Sequence, residues 1–167
     1  MPCKRLIFSL IYSDGFFCLS RNFKLQKAGD VNWLEKNYNF KQIASHIDEL
    51  IVLDASRIEP KGSNKFLGAI KQLKKECFMP IAIGGGIQSI AEANKYFAAG
   101  ADKVVVNSLL FLKPEEISTI SSIYGSQAII ASCDFKYDLA LQNHIVCTSN
   151  GSKIIDLPFT QLPSFLK

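Results

Sequence analysis

The sequence predicts an α/β fold built on parallel strands, and three observations predict it. Short apolar runs rich in β-branched residues alternate with longer stretches whose apolar residues recur at helical spacing. The apolar runs are continuous rather than alternating, as strands covered on both faces require. Each run ends in glycine or a polar turn before the next helical stretch begins. This pattern alone fits both a closed barrel and an open doubly wound sheet.

Residues 4–12 (KRLIFSLIY) form the first strand, and Ser13-Asp14-Gly15 closes it with a turn signal. Residues 31–47 carry apolar side chains at helical spacing. Residues 49–54 (ELIVLD) read as a buried strand ending in an acid, and residues 64–77 as a helix. Residues 80–83 (PIAI) run into Gly84-Gly85-Gly86. Residues 89–99 are helical, with Gly100 placed to end the helix. Residues 102–106 form a strand ending at Asn107-Ser108. Pro114 opens the next helix in its first turn, where a missing N–H costs nothing. Residues 128–133 form a fifth strand ending at Asp134. Residues 135–153 read as a polar hairpin inserted after it, and residues 158–167 as a short apolar tail that starts a further helix. No low-complexity linker divides the chain, so residues 1–167 are expected to form a single domain.

A chain of 167 residues can bury a sizeable core. The net charge of +4, from 19 Lys/Arg against 15 Asp/Glu, fits an anionic small ligand or an acidic partner. The excess is too mild and dispersed for nucleic acid. Cys3, Cys18, Cys77, Cys133 and Cys147 form no CxxC pair and mostly sit in apolar runs, as reduced core residues of a cytoplasmic protein do. No run approaches the roughly 18 apolar residues of a membrane span. The basic-then-apolar start, MPCKRLIFSLIYSDG, is broken by its turn and lacks a small-residue cleavage site, so it reads as a strand rather than a leader.

In a parallel α/β barrel, chemistry sits at the C-terminal ends of the strands. Those ends carry Ile11, Asp54, the glycines 84–86, Asn107, Ser108 and Asp134. Glycines between strand and helix let backbone N–H groups approach a phosphate, and Asn107 and Ser108 add side-chain donors. This makes Gly85, Gly86, Asn107 and Ser108 candidate phosphate ligands, against the alternative of a tight turn without ligand. Asp134 is either a partly desolvated proton carrier or a loop-bracing carboxylate. Asp54 is expected to pair with Arg57 or with a loop amide. His46 and His144 lack partners at ligand spacing, so no metal is assigned. Arg5, Glu49 and Lys103 stand at the starts of strands, where a ring of alternating charge serves stability or closes a barrel's lower end.

The ordered set KRLIF…DG, IDELIVLD, ECFMPIAIGGGIQS, AGADKVVVNS and GSQAIIASCDFK, over residues 4–155, resembles the cyclase subunit family of imidazole glycerol phosphate synthase. The resemblance implies a partial (β/α)8 TIM barrel of the phosphate-binding ribulose-phosphate type, with about five parallel strands in sequence order. A complete barrel needs about 250 residues. Relative to the family, the chain ends before strands six to eight, as a fragment, a truncated product or one part of a split protein would.

In the family, two aspartates at the ends of strands one and five act as general acid and base. They close an imidazole ring with ammonia delivered through the barrel from a glutaminase. The strand-five acid falls on Asp134 as the catalytic residue. The strand-one acid falls on Ile11, and a loop lysine falls on Leu19. The family's charged ammonia gate falls on Arg5, Glu49 and Lys103, with its fourth member beyond residue 167. The segments LSRNF, DVNWLEKNYNF and ECFMP are similar to the branch associated with acetamidino sugars of surface polysaccharides.

The resemblance therefore implies a cytoplasmic barrel subunit that accepts ammonia from a glutaminase for amidination of an acetamido sugar, with a sugar amidotransferase as further partner. It implies a phosphorylated small molecule as ligand, and no cofactor, nucleic acid or membrane. The alternatives are a ring-closing cyclase of histidine biosynthesis and a non-catalytic fragment that binds the glutaminase.

Overall fold

The computed structural model describes residues 4–21, 24–43, 46–76, 78–148 and 153–166. Its main sheet has seven strands, in the order β3 (Lys24–Gly29), β2 (Phe16–Arg21), β1 (Ile7–Ser13), β4 (Glu49–Asp54), β5 (Ile81–Gly84), β6 (Lys103–Val106) and β7 (Ile129–Ala131). The parallel part is β1, β4, β5, β6 and β7. These are the five expected strands in their expected sequential order. A doubly wound sheet reverses its order partway, so the arrangement is that of a partial (β/α)8 barrel.

The helices between the strands are α1 (Val31–Tyr38), α2 (Phe40–Ile43), α3 (Asn64–Glu76), α4 (Ile90–Ala98), α5 (Ser108–Leu112) and α6 (Pro114–Tyr124). Asp30 caps α1 by accepting from the Trp33 N–H at 2.9 Å. Strand alternation sends Leu10, Tyr12, Leu50, Val52, Ile81, Ile83, Val104 and Val106 toward the helices. There they join Phe66, Ile70, Ala93, Tyr96 and Ile120 in one buried cluster. The other parity faces away from the helices. Cross-strand register places Ile11, Leu53, Gly84, Val105 and Ile130 in one row on that side.

Several expectations need correction. A hairpin, β2 (Phe16–Arg21) and β3 (Lys24–Gly29), extends the sheet antiparallel beyond β1. Asp14 and Gly15 form its two-residue turn with φ of 49° and 95°, the positive values a type I′ turn demands. The single helix expected over residues 31–47 divides at Asn39. Its φ of 46° and its N–H to the Glu35 carbonyl end α1. The expected hairpin at residues 135–153 is a three-stranded antiparallel sheet. It comprises β8 (Asp134–Asp138), β9 (Asn143–Thr148) and β10 (Lys153–Pro158), in the order β10-β9-β8. The C-terminal tail forms a 3-10 turn and then α7 (Leu162–Phe165), where Phe165 stacks on Phe111. Among the described residues, no helix is long and apolar enough to cross a membrane. Cys18 and Cys147 are buried free thiols and Cys133 is half-buried; Cys3 and Cys77 lie outside the described residues.

Candidate functional site

The charged residues at the strand starts converge. Glu49 opens β4 and is 1% exposed. Its Oε2 accepts from the Arg5 guanidinium, and its Oε1 lies 2.8 Å from Lys103 Nζ. The second contact has the distance of an ion pair without the alignment of a hydrogen bond, so its attraction is Coulombic. Glu49 and Lys103 share a parity on the face turned away from the helices, with Lys103 in the row above. The result is one buried carboxylate bridging two cations that both reach solvent. Nearby, Asp48 Oδ2 accepts from the Leu6 N–H at 2.6 Å, and Asp102 Oδ2 accepts from Lys74 Nζ at 2.5 Å and the Ile81 N–H at 2.8 Å.

At the opposite strand ends, Gly85-Gly86 follow β5 and Asn107-Ser108 follow β6, and these strands pair directly through Gly84 and Val105. Gly85 and Gly86 take φ of 110° and 73°, where L side chains are strained. Space forbids side chains as well. A Cβ on Gly85 would stand 2.2 Å from the Asp54 carbonyl oxygen, and one on Gly86 would stand 2.6 Å from the Lys61 side chain. The Gly85 carbonyl accepts from the Tyr96 hydroxyl at 2.7 Å. Burial pushes the Tyr96 phenol well up, helped by the Asp54 and Glu92 charges, so it stays a donor. Two N–H groups just beyond the glycines already hold carboxylates: Gln88 N–H donates to Glu92 at 2.6 Å and Ile90 N–H to Glu116 at 2.7 Å. Ser108 Oγ donates to Asn107 Oδ1 at 3.4 Å, and neither side chain caps α5.

Asp134 does not end the fifth strand. It opens β8 opposite Cys147, three residues beyond Ala131, and is half-buried. Its charge adds to burial in raising the thiol of Cys133. Ile11 pairs with Leu53 on one side and Cys18 on the other. Its row holds no carboxylate: the titratable members are Cys18, whose thiol burial pushes up, and Lys27 beyond it. Leu19, in β2, is 54% exposed.

Two residues with defined roles were not singled out from the sequence. Asp14 braces the loop after β4: its Oδ1 accepts from the N–H groups of Arg57, Ile58 and Glu59 at 3.2, 3.0 and 3.0 Å. These bonds, the one from Glu59 first, hold its carboxyl below the usual range. Its position in an Asp-Gly turn was the available signal. Lys61 reaches back to donate to the Asp54 carbonyl at 2.6 Å, and no sequence pattern marks it. Asp54 itself is 2% exposed and binds loop amides, Ser56 N–H at 2.9 Å and Gly62 N–H at 2.8 Å, rather than pairing with Arg57. Among the described residues, no group of three His, Cys, Asp or Glu is placed to hold a metal ion. His144 packs against the rings of Tyr137 and Phe159.

Comparison with known proteins adds a lineage. The family model described as "Histidine biosynthesis protein" matches residues 23–162. The chain is 52% identical over 138 residues to a Parasynechococcus marenigrum (strain WH8102) protein provisionally named imidazole glycerol phosphate synthase subunit hisF2; the match covers 83% of this chain and 51% of that one. It is 34% identical over 155 residues to imidazole glycerol phosphate synthase subunit HisF of Staphylococcus aureus (strain Newman), covering 92% of this chain and 60% of the other. The chain thus spans about half the length of the curated relatives it matches.

Proposed function

Because the chain belongs to the histidine biosynthesis protein family, we propose that it serves as a HisF-type subunit of imidazole glycerol phosphate synthase, drawing ammonia from a glutaminase. The observation that carries this reading is the cluster in which buried Glu49 bridges Arg5 and Lys103. A buried carboxylate between two cations is a poor choice for stability alone, since well-packed apolar residues often do as well or better. Two cations with access to solvent around one fixed anion make a charged constriction that a small polar molecule can pass on side-chain movement. The residues stand where the family's ammonia gate falls.

The other end of the sheet would take the phosphorylated ligand, through Gly85, Gly86, Asn107 and Ser108, with Asp134 as the proton carrier. The relatives' names favour the histidine-pathway reading over sugar amidination, which neither mentions. Ile11 sets the reading's limit. With an isoleucine in place of one of the paired acids, ring closure falls by about 10²–10⁴-fold. Ammonia handling is then the part of the activity that the residues support best.

The test is binding. The chain is mixed with a glutaminase of the HisH type, and complex formation is followed by sedimentation. A stoichiometric complex supports the proposal. No complex at concentrations well above micromolar refutes it.

A further inference from the structure

We propose that Lys61 supplies the cation of an anion site at Gly85-Gly86, meeting a phosphate monoester held by that loop. The inference rests on the reading of the loop as a phosphate cradle, and it addresses a difficulty in that reading. The residues nearest the loop's far side are acidic. Glu92 and Glu116 already occupy the N–H groups of Gln88 and Ile90, so an incoming dianion meets two carboxylates rather than a bare helix terminus. The nine-residue helix α4 offers no side-chain cap that could give way, because Ser89 makes no such bond. A phosphate here needs a positive charge from elsewhere.

Lys61 is placed to give it. Its Cβ and Cγ lie 2.6 Å from where a Gly86 Cβ would be, so its stem rests on the glycine backbone. Its ammonium turns back to the Asp54 carbonyl, the same oxygen that lies 2.2 Å from a Gly85 Cβ. The residue as a whole is exposed, yet desolvation around the ammonium lowers its pKa, with Asp54 and Asp14 opposing and Arg57 reinforcing. Neither acid is a direct partner. Asp54 is engaged by the Ser56 and Gly62 amides, and Asp14 by those of Arg57, Ile58 and Glu59. Lys61 thus carries a partly desolvated charge, held by a neutral carbonyl, with no carboxylate in ion-pair contact among the described residues. A phosphate oxygen is a stronger acceptor than that carbonyl.

Inorganic phosphate is the probe, titrated into the full chain at low ionic strength by calorimetry, with Lys61 Nζ followed by nitrogen-detected NMR. The expected result is that Lys61→Met, which keeps the apolar stem, weakens phosphate binding about tenfold or more, the loss of one charge-assisted hydrogen bond. Lys61→Arg should stay within a few-fold of wild type. Phosphate should shift the Nζ resonance and raise its titration point, which a merely structural strap would not show. If Ser108→Ala weakens phosphate but Lys61→Met does not, the cradle stands and the role of Lys61 is overturned. If wild-type protein does not bind phosphate at all, both fall.

Discussion

Lys103 Nζ lies 2.8 Å from Glu49 Oε1 while Arg5 holds the other oxygen, so one carboxylate that is 1% exposed joins two strand starts and the N-terminal segment. Removing a partner from a buried ion pair typically costs about 3–5 kcal/mol. Arg5 and Lys103 keep side-chain exposures of 50% and 26%, so water recovers much of that. We predict that Glu49→Gln destabilises the chain by about 1–3 kcal/mol in urea unfolding. A change under about 0.5 kcal/mol would mean that the cluster contributes nothing to the fold.

The glycine loop makes an ordering prediction. Gly85→Ala drives a Cβ to 2.2 Å from the Asp54 carbonyl, which is backbone and cannot step aside. Gly86→Ala meets the Lys61 side chain at 2.6 Å, which has more freedom to move. Both positions also carry positive φ. Each substitution should cost about 1–3 kcal/mol, with Gly85→Ala the worse. Equal or reversed effects on the unfolding midpoint would contradict the packing described.

Tyr96→Phe removes the hydroxyl bond to the Gly85 carbonyl and little else. The cost should be about 0.5–1.5 kcal/mol in thermal or urea unfolding. A neutral or stabilising outcome would show that the bond is not made in solution.

Asp14 supplies the pH dependence. Its carboxyl is held below the usual value of about 3.9, so its contribution is fully present above that pH. The contribution is lost as pH falls below about 3.9 and through the depressed folded value. Carbon-detected NMR should show Asp14 titrating below about 3.9. Asp14→Asn should weaken amide protection at Arg57, Ile58 and Glu59 near neutral pH. A titration point at or above about 3.9 would remove the brace from the account.

The parallel core was legible because its strands are unbroken apolar runs. ELIVLD runs from residue 49 to 54 in sequence and structure alike. The edge hairpin was not, because FFCLSR and KLQKAG lack clean alternation, although the Asp14-Gly15 turn is the hairpin's strongest local sign. The helix break at Asn39 escaped because apolar spacing continues through it, while an αL residue leaves no periodic trace. The candidate residues at the strand starts were legible from position. What joined them, a shared parity across β4 and β6, came only from register. Lys61 had no pattern at all, since a loop side chain's reach depends on backbone the sequence does not state.

Ile11 sets the expectation for ring closure. With ammonium supplied, so that no glutaminase is needed, we predict that this chain extended to a full barrel turns over about 10²–10⁴-fold more slowly than a subunit with both acids. Ile11→Asp should raise it. Turnover near that of an intact cyclase would show that Ile11 is not where the missing proton carrier belongs.

The end of the sheet that carries Glu49 also exposes Phe78, 91% accessible before β5, and Leu6, 59% accessible before β1. The glutaminase proposed above would cover this end of the sheet. Phe78→Glu should weaken glutaminase binding about tenfold or more while leaving the unfolding midpoint within the error of wild type.

Glutamine hydrolysis by a HisH-type glutaminase, measured with and without this chain, decides whether the chain handles ammonia. The wild-type chain should stimulate hydrolysis, and Lys103→Met should form the complex but alter the yield of ammonia reaching the barrel side. Hydrolysis indifferent to the chain, or identical ammonia yields for wild type and Lys103→Met, would contradict that role.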